Sequence, residues 1–472
     1  MREATPIEEP ASAVVTVDEL QRAAAVPHRV HLVGVGGAGM SAIARILAQR
    51  GHAVSGSDLH DGRAIAGLRA LGVAVSIGHD ATHVGDAEVV VTSTAVAADN
   101  PEVLAARARG VRVIPRARML ADTLADDRSV LVAGTHGKTT TTSMTVVALH
   151  AGGVDPTFAI GGELNEAGTN AHAGSDRVAV AEADESDRSF LAYESDVAVV
   201  TNLELDHPEV YPDLEAVLDA FAAFLGRRRP GGHAVVCVDD PGVRALLDRI
   251  EGPVLTYGRA PSADVRVIER DGSPHVLIGR TSHPLRLEVP GDHNLLNAAA
   301  ALTACHLLDV PVEEALEGLA RFRGAARRFQ RLGEAQGVQV VDDYAHHPTE
   351  LRATLAAARG TGAGRILCVV QPHRFSRTAV LGEELGRAAA GADLVVVTEV
   401  YGAGETPVPG VNGRLVADAA RSAGARVVHV AHLSDVAPLL AAEVRSGDLV
   451  LVTGAGDVNQ VGPALLASLR GE

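Results

Sequence analysis

The sequence predicts an α/β protein of three domains, each built on a parallel β-sheet. The chain of 472 residues is too long for one hydrophobic core, and usual domain sizes suggest about three. Short runs of Val, Leu, Ile and Ala alternate with helical patterns, as expected for parallel sheets whose two faces are both buried. Glycine-rich turns or polar clusters follow several of these runs, and ligands bind at that edge of open α/β sheets.

The composition indicates a globular protein with an excess of acidic residues. Hydrophobic residues form 47% and charged residues 21% of the chain, whereas aromatic residues form 3%, so the cores must consist mainly of Val, Leu and Ala. The formal net charge of −17 argues against binding to nucleic acids or membrane surfaces. An anionic substrate would therefore need local helix N-termini, Mg²⁺ and well-placed arginines.

Nothing in the sequence predicts export or membrane insertion. Residues 1–27 form a weakly patterned leader, and no apolar stretch is long enough to span a bilayer. Cys237, Cys305 and Cys368 lie far apart and have no metal-ligand spacing, so we expect them to be reduced core residues. These features predict a cytoplasmic protein, and they leave both a monomer and a weak homodimer open.

Residues 1–120, including the leader, are predicted to form a Rossmann-like N-terminal domain. A strand over residues 29–35 leads into the glycine-rich segment 34–40 and a helix, and a second strand over residues 52–57 ends at Asp58. In such a unit a diphosphate lies at the helix N-terminus, and the acidic residue lies near the nucleotide. The glycines alone do not identify the nucleotide, because several classes of nucleotide-binding protein share them.

Residues 121–325 are predicted to form a central domain like that of P-loop ATPases. A buried strand over residues 130–133 runs into Gly134-Thr-His-Gly-Lys-Thr-Thr140 and then into a helix predicted over residues 143–151. In such a loop backbone N–H groups hold phosphates, the lysine binds the β- and γ-phosphates, and a threonine hydroxyl binds Mg²⁺. Lys138 is the only lysine of the chain, so a compact point charge is kept where a phosphate needs it. Val132 replaces the first glycine of the standard motif, so this loop is a shorter variant.

Two acidic clusters are predicted to lie beside this loop. A strand over residues 177–181 ends in Glu182-Ala-Asp-Glu-Ser-Asp, and a strand over residues 197–201 is followed by Asn202-Leu-Glu-Leu-Asp-His. Because the carboxyl ends of parallel strands share one edge of a sheet, both clusters would face the phosphates, where Mg²⁺ needs oxygen ligands. A metal site explains two such clusters better than a solvated acidic surface does.

Residues 326–472 are predicted to form a Rossmann-like C-terminal domain. Strands are predicted over residues 338–341, 366–370, 394–398, 426–430 and 449–452. Polar clusters follow four of them, at residues 342–348, 371–377, 399–401 and 454–457. Four clusters at four strand ends imply one shared pocket.

Taken in order, these motifs resemble those of the Mur ligases of bacterial cell-wall synthesis. The segments that carry the resemblance are Gly34-Val-Gly-Gly-Ala-Gly-Met40, Gly134-Thr-His-Gly-Lys-Thr-Thr140, Glu182-Ala-Asp-Glu-Ser-Asp187, Asp206-His207, His293-Asn-Leu-Leu-Asn297, Gly324-Ala-Ala-Arg-Arg-Phe329, Asp342-Asp-Tyr-Ala-His-His-Pro348 and Gln371-Pro-His-Arg-Phe375. They span nearly the whole chain past the leader. The resemblance implies an ATP- and Mg²⁺-dependent ligase of the branch that adds L-alanine to the lactyl carboxylate of UDP-N-acetylmuramate through an acyl phosphate.

The resemblance also implies a role for each matching position. The UDP-sugar would be bound by Gly34, Gly36, Gly37, Ala38, Gly39, Met40, Asp58 and Ser93. ATP would be bound by Gly134, Thr135, His136, Gly137, Lys138, Thr139, Thr140, Asn294, Asn297 and Arg328. The amino acid would be bound by Tyr344, His346, His373 and Arg374, and the metal by Thr139, Glu182 and His207. The catalytic residues would be Lys138, Glu182, His207, Arg328, Asp343 and His347.

One feature of the family bears on the metal site. Other Mur ligases hold a second Mg²⁺ with a carbamylated lysine, which this chain cannot do because Lys138 is its only lysine. The resemblance to the L-alanine-adding branch implies that His207 bridges the metal instead.

Several alternatives are open at the level of sequence. A ligase that recycles murein tripeptide, or a folylpolyglutamate synthetase, would share the ATP domain, but the recycling ligase has bulky residues where this chain has Gly37-Ala-Gly39. A nicotinamide-dependent dehydrogenase would leave Lys138 unexplained. A non-enzymatic nucleotide-binding regulator would not need the polar clusters of the third domain.

Overall fold

The computed structural model describes residues 25–471 and contains three β-sheets, which confirms the predicted α/β fold of three domains. Residues 1–24, most of the predicted leader, lie outside the described residues. No helix between residues 25 and 471 has the length and apolar character needed to cross a bilayer.

The first sheet has five parallel strands, and its strand order reverses beside the glycine-rich loop. The strands are β1 (Arg29–Val33), β2 (Ala53–Asp58), β3 (Ala74–Ile77), β4 (Val89–Thr92) and β5 (Arg112–Pro115), and the helices are α1 (Ala38–Gln49), α2 (Arg63–Ala70), α3 (Pro101–Ala108) and α4 (Arg116–Leu124). The spatial order is β3-β2-β1-β4-β5. The loop after β1 therefore lies at the switch point of the sheet, where ligands bind in this class of fold.

The second sheet has ten strands. The strand that precedes the glycine-rich loop 134–140 (the phosphate loop) lies inside this sheet. The strands are β6 (Arg128–Ala133), β7 (Thr157–Leu164), β8 (Thr169–His172), β9 (Val178–Glu182), β10 (Ser195–Val200), β11 (Arg228–Cys237), β12 (Val254–Gly258), β13 (Val265–Arg270), β14 (Ser273–Ile278) and β15 (Thr281–Pro284). The helices are α5 (Lys138–Ala151), α6 (Leu214–Gly226), α7 (Pro241–Leu246), α8 (Asp292–Leu307) and α9 (Val312–Ala320). The spatial order is β15-β14-β13-β12-β11-β10-β6-β9-β7-β8. Both acidic strand ends, those of β9 and β10, thus flank β6.

The third sheet has six strands, of which the first is antiparallel to its neighbour. The strands are β16 (Gln330–Ala335), β17 (Val338–Asp343), β18 (Ile366–Val370), β19 (Leu394–Thr398), β20 (Val427–Val430) and β21 (Leu449–Thr453), in the order β16-β17-β21-β18-β19-β20. The helices are α10 (Pro348–Gly360), α11 (Phe375–Ala389), α12 (Gly413–Ser422), α13 (Val436–Glu443) and α14 (Val461–Arg470).

The second and third sheets carry antiparallel pairs at their edges, between β7 and β8, between β13, β14 and β15, and between β16 and β17. Alternating residues with turn signals at Asp271-Gly and Ser282-His-Pro predict a β-rich segment over residues 264–289, where β13, β14 and β15 lie. The sheet of the third domain, predicted to be parallel, has the antiparallel pair of β16 and β17. Strand β16 was missed because it is half-exposed and has no apolar run, and its pairing register shifts at Gly333.

The helix after the phosphate loop begins at Lys138, five residues before the predicted start at residue 143. Threonine is a weak helix former, so the run 139–142 looked like part of the turn. In the structure the hydroxyl of Thr142 donates to the carbonyl of Lys138 (2.9 Å), and that of Thr145 donates to the carbonyl of Thr141 (2.8 Å). These bonds satisfy the buried hydroxyls, and burial against the sheet keeps the threonines helical. The early start places Lys138 and Thr139 at the positive end of the helix dipole.

The first two domains pack on each other through α1. Asn170 on β8 donates to the carbonyl of Ala38 (2.8 Å), and Arg50 just beyond α1 reaches Asp127 (2.7 Å) and Thr157 (3.0 Å). The glycine-rich loop is thereby held beside the central domain. The predicted domain limits stay predictions: residue 120 falls within α4, and residue 325 falls between α9 and β16. Cys237, Cys305 and Cys368 are buried and free.

Candidate active site

The phosphate loop is fixed from behind by side chains that leave room only for glycine. A methyl group on Gly134 would overlap the hydroxyl of Thr201, and one on Gly137 would lie 2.8 Å from Oδ1 of Asn297. Gly137 also has a φ of 83°, a left-handed conformation that favours glycine. Asn297, predicted to face the nucleotide, therefore lies against the phosphate loop, and its amide donates to Oδ1 of Asn294 (3.3 Å).

The single lysine is held over this loop by an acidic partner. Lys138 Nζ donates to both carboxylate oxygens of Glu185 (2.8 and 2.9 Å) and to the carbonyl of Gly134 (2.7 Å). Burial opposes the charge on Lys138, but Glu185 and its acidic neighbours outweigh burial and raise the lysine pKa above its ordinary value. Lys138 is therefore a charged, preoriented group at the helix N-terminus.

Thr139 and Glu182 form a site with the oxygen donors that Mg²⁺ requires. The hydroxyl of Thr139 donates to Oε2 of Glu182 (3.3 Å), and the other oxygen of Glu182 accepts from the backbone N–H of Gly161 (2.6 Å). Burial raises the pKa of Glu182, as expected for a carboxylate placed to receive a cation. A hydroxyl and a carboxylate fit a hard cation.

His207, the third predicted metal ligand, is engaged elsewhere. Its Nδ1 lies 3.3 Å from Oε1 of Glu209, and among the described residues it has no hydrogen bond to Thr139 or Glu182. Its φ of 54° is unusual for a residue other than glycine. The structure thus brings together two of the three predicted ligands.

The third domain reaches this site through Arg328, which lies in the linker between α9 and β16 (residues 321–329). Arg328 donates from Nη2 to the hydroxyl of Thr139 (3.3 Å). The backbone of the linker is held by Asp343, whose oxygens accept from the N–H groups of Phe329 and Ala345 (2.8 Å each). Burial raises the pKa of Asp343 to about 6. The two oxygens of Asp343 therefore position the backbone around residues 329 and 345.

Two further ion pairs join the third domain to the end of β10. Arg377 on α11 forms a bidentate, buried pair with Asp206 (2.9 and 3.1 Å). Arg374 donates to Glu209 (3.1 Å), the residue that also contacts His207. Burial opposes the charge on Asp206, but Arg377 outweighs burial and lowers the carboxyl pKa well below its ordinary value. The predicted amino-acid ligand Arg374 therefore lies at the domain interface itself.

The other predicted amino-acid ligands form a row of rings. The ring centroids of Tyr344 and His346 are 5.4 Å apart, those of His346 and His373 are 5.8 Å apart, and Tyr401 stacks on His373 at 5.7 Å. Burial lowers the pKa of His346 to about 4 and that of His373 to about 3. Both imidazoles are consequently neutral near pH 7. Arg328 lies 5.0 Å from the centre of the Tyr344 ring, so the row extends to the phosphate loop.

A cluster at the domain interface contains the remaining predicted residues, His136 and His347. His136, His347 and Glu204 offer nitrogen and oxygen atoms within 4.8 Å of one another, a spacing that a metal could use. Both nitrogens of His136, however, are bonded to carboxylates, Nε2 to Glu204 (2.5 Å) and Nδ1 to Glu350 (3.1 Å). His347 Nδ1 accepts from the N–H of Thr349 (3.3 Å) and caps α10. The cluster is therefore a hydrogen-bonded contact between domains.

In the first domain the glycine-rich loop is held by the neighbouring strand. The N–H of Gly36 donates to Oδ2 of Asp58 (2.8 Å), so the predicted nucleotide-end residue also shapes the loop. Ser93 directly follows β4, the strand beside β1. The guanidinium of Arg116 packs on Gly39, where any side chain would collide with it. Arg116 brings a cation to the loop that the sequence analysis did not identify.

Several residues at these contacts were not among the predicted site residues. They include Arg116, Glu185, Glu204, Glu350 and Arg377. Glu350 and Arg377 lie one turn inside helices that follow polar strand ends, and helical spacing of three or four residues from His346, His347, His373 and Arg374 was the available signal.

Comparison with known proteins relates the whole chain to one family. Three family profiles match successive parts: the catalytic domain of the Mur ligase family over residues 29–128, the Mur ligase middle domain over residues 132–305, and the glutamate ligase domain of Mur ligases over residues 327–456.

Individual proteins support the same relation. A relative from Saccharopolyspora erythraea, named UDP-N-acetylmuramate–L-alanine ligase, is 49% identical over 463 residues, which cover 95% of this chain and 94% of the relative. The crystal structure of UDP-N-acetylmuramate–alanine ligase from Thermotoga maritima matches with a TM-score of 0.79 at 30% identity, covering 94% of this chain and 99% of that one. A murein peptide ligase from Psychrobacter arcticus shares the fold, with a TM-score of 0.71 at 22% identity and the same coverage.

Proposed function

Because the chain belongs to the Mur ligase family, we propose that it joins L-alanine to the lactyl carboxylate of UDP-N-acetylmuramate, using ATP. The products are UDP-N-acetylmuramoyl-L-alanine, ADP and phosphate, and the reaction belongs to peptidoglycan synthesis. The observation that carries the proposal is the approach of Arg328, from the linker to the third domain, to the Thr139 hydroxyl of the phosphate loop. A cation from one domain thus meets the phosphate-binding residues of another, as a phosphoryl transfer between two anions requires.

The reaction has two steps. A carboxylate oxygen of the sugar attacks the γ-phosphorus of ATP, the bond to the β-phosphate oxygen breaks, and ADP leaves an acyl phosphate. The amine of L-alanine then attacks the acyl carbon, and the tetrahedral intermediate expels phosphate. Since the first step brings two anions together, charge neutralisation and positioning must supply most of the acceleration. We assign this charge neutralisation to Lys138 and Arg328.

Mg²⁺ is part of the proposal. Thr139 and Glu182 would hold it, and His207 would join them after leaving Glu209. A bound Mg²⁺ neutralises charge on the β- and γ-phosphates. The bonds that Gly161 and Arg328 make to this pair keep its oxygens oriented.

The attacking amine must lose a proton, and we assign its acceptance to Asp343 or to a neutral imidazole of the third domain. Asp343 is the better matched base, because its pKa of about 6 is close to neutral pH and each of its oxygens keeps a further lone pair beside the backbone N–H that it accepts. His346 and His373 lie in the ring row that ends at Arg328, but their lowered pKa values make them weak bases, so their role is to orient the amine. Tyr344 and Arg374 would bind the amino acid beside these imidazoles.

The remaining assignments follow the same division by domain. Residues 34–40, Asp58 and Ser93 would hold the UDP-sugar, with Arg116 supplying a cation near its diphosphate. Asn294 and Asn297 would bind ATP beside the phosphate loop. We also propose a cytoplasmic location, which the requirement for ATP supports.

The decisive assay measures phosphate release from ATP with UDP-N-acetylmuramate and, in turn, L-alanine, glycine, L-serine or the murein tripeptide. We expect release that needs both the nucleotide sugar and an amino acid, with L-alanine preferred. Release that ignores the nucleotide sugar would contradict the ligase assignment. A preference for the tripeptide would move the assignment to a recycling ligase.

A further inference from the structure

We infer that Glu350 is a positioning residue that couples the phosphate loop to His346 and His347 of the third domain. The inference rests on the proposed function. Glu350 lies on the first turn of α10, and its side chain is largely buried at the interface between the central and third domains.

Each oxygen of Glu350 serves a different domain. Oε1 contacts Nδ1 of His136 in the phosphate loop (3.1 Å). Oε2 accepts from the backbone N–H groups of His346 (3.0 Å) and His347 (3.2 Å). The guanidinium of Arg328 approaches at 4.0 Å. One carboxylate therefore touches the ATP-binding loop, the linker cation and the segment assigned to the amino acid.

The contact to His136 bears directly on the shape of the phosphate loop. The backbone N–H of His136 donates to Oδ1 of Asn202 (2.8 Å), and its carbonyl accepts from Thr201 (2.5 Å) and from Asn202 (3.0 Å). Three hydrogen bonds to its backbone thus hold His136 in the central domain, and Glu350 adds a side-chain contact from the third domain. Because Lys138 is two residues away, a displaced His136 would alter the cradle that holds the phosphates.

A second bridge reinforces the first. Glu204 accepts from His136 through Oε1 and from the hydroxyl of Thr349 through Oε2 (3.0 Å). Central-domain Glu204 and third-domain Glu350 therefore hold the His136 ring between them. The ring is 4.7 Å from that of His347, which packs the two segments together.

This arrangement links two binding events. When the third domain docks, Glu350 orients the phosphate loop, and a loop ordered by ATP in turn favours docking and orders the backbone of residues 346–347. Such coupling is reciprocal, so loss of the link weakens the apparent affinities for ATP and for L-alanine together. A residue that only capped α10 would affect folding stability and leave both affinities unchanged.

Glutamine at position 350 separates these two roles. Its amide oxygen can still accept from His346 and His347, which retains the capping box, but the charge toward His136 and Arg328 is lost. The variants are Glu350→Gln, His136→Gln and the double variant, all in the full chain. The matched control is Glu384→Gln, which removes an exposed ion pair to Arg352 in the same domain.

The measurements are KM for ATP and for L-alanine, kcat, and Tm. We expect Glu350→Gln to raise both KM values by about tenfold, with a Tm within about 3 °C of the wild type. His136→Gln should do the same, and the double variant should be no worse than the more impaired single variant. Glu384→Gln should match the wild type.

Two results would overturn the inference: unchanged KM values in Glu350→Gln, or multiplicative effects in the double variant. If Glu350→Gln fails to fold, KM for L-alanine in His136→Gln decides, because that change leaves the cap of α10 intact and a lost contact to ATP alone would leave KM for L-alanine unchanged. A wild-type protein without ligase activity would refute the proposed function instead, so the two failures are distinguishable.

Discussion

The guanidinium of Arg377 forms a buried, bidentate ion pair with Asp206, joining the first helix turn after β18 to the strand end that carries His207. The pair fixes the third domain against the central sheet at the edge where both domains present their polar residues. Bidentate pairing is specific to arginine, which supplies two parallel N–H donors in a rigid plane.

Removal of one partner of this pair should be costly. Arg377→Met leaves Asp206 buried without a counter-ion, and we expect a loss of about 3 kcal/mol in the free energy of unfolding, measured by chemical denaturation. Arg377→Met/Asp206→Asn should recover part of that loss, because no uncompensated charge remains. Arg387→Met, which breaks an exposed pair with Glu383, is the control and should cost less than about 1 kcal/mol. Equal losses in the two single variants would contradict the buried role of the pair.

Lys138→Ala should abolish turnover without unfolding the protein. The ammonium of Lys138 donates to carbonyls of the phosphate loop and to Glu185, and its proposed role is to neutralise charge on the transferring phosphate. We expect kcat to fall by at least about 100-fold, with circular dichroism unchanged. Lys138→Arg should recover little, since guanidinium does not replace a compact ammonium in this cradle. Near-normal turnover of Lys138→Ala would refute the phosphate-binding assignment.

Arg116 should contribute to binding of the nucleotide sugar. It packs on Gly39 at the start of α1, where the proposed diphosphate lies. We expect Arg116→Ala to raise KM for UDP-N-acetylmuramate by about tenfold, with little change in KM for ATP. Arg107→Ala, on the exposed face of α3, serves as the control. A rise in KM for ATP alone would contradict this assignment and would place Arg116 at the ATP site.

A buried carboxylate in the first domain should make stability depend on pH. Burial opposes the charge on Glu102, but hydrogen bonds from His31, Ser57 and His83 lower its pKa from 4.5 to about 2. A lowered pKa in the folded state means that the stabilisation is complete above pH 4.5 and is lost as pH falls toward 2. Glu102→Gln should lower the free energy of unfolding at pH 7 by about 3 kcal/mol and flatten its decline below pH 4.5. Urea unfolding at pH 7, 4.5 and 3 measures this, and parallel declines in wild type and variant would contradict it.

The sequence was sufficient for the architecture and for the position of the glycine-rich loops between strand and helix, because these depend on local patterns. An apolar run followed by glycines specifies β6 and the phosphate loop whatever surrounds them. The early start of α5 was not predictable, since burial against the sheet overrides the low helix propensity of four threonines. Strand β16 was missed for a related reason. Its residues are half-exposed, and apolar and polar residues do not alternate along it.

Contacts between domains were out of reach for a different reason. Glu350 and Glu204 are charged residues in helical or loop segments, where a solvated position is the usual outcome. Their proximity to His136 depends on how the third domain docks, which no local pattern encodes. The side-chain contact of His207 was also not predictable. Its motif implied a metal ligand, and the structure places its ring against Glu209.

The most direct test of the central claim follows an oxygen atom. UDP-N-acetylmuramate labelled with ¹⁸O in the lactyl carboxylate is incubated with ATP, L-alanine and the protein, and the released phosphate is analysed by mass spectrometry. Attack of the carboxylate on the γ-phosphorus predicts one ¹⁸O atom in the phosphate for each amide bond formed. Unlabelled phosphate accompanied by amide product would contradict the acyl-phosphate route.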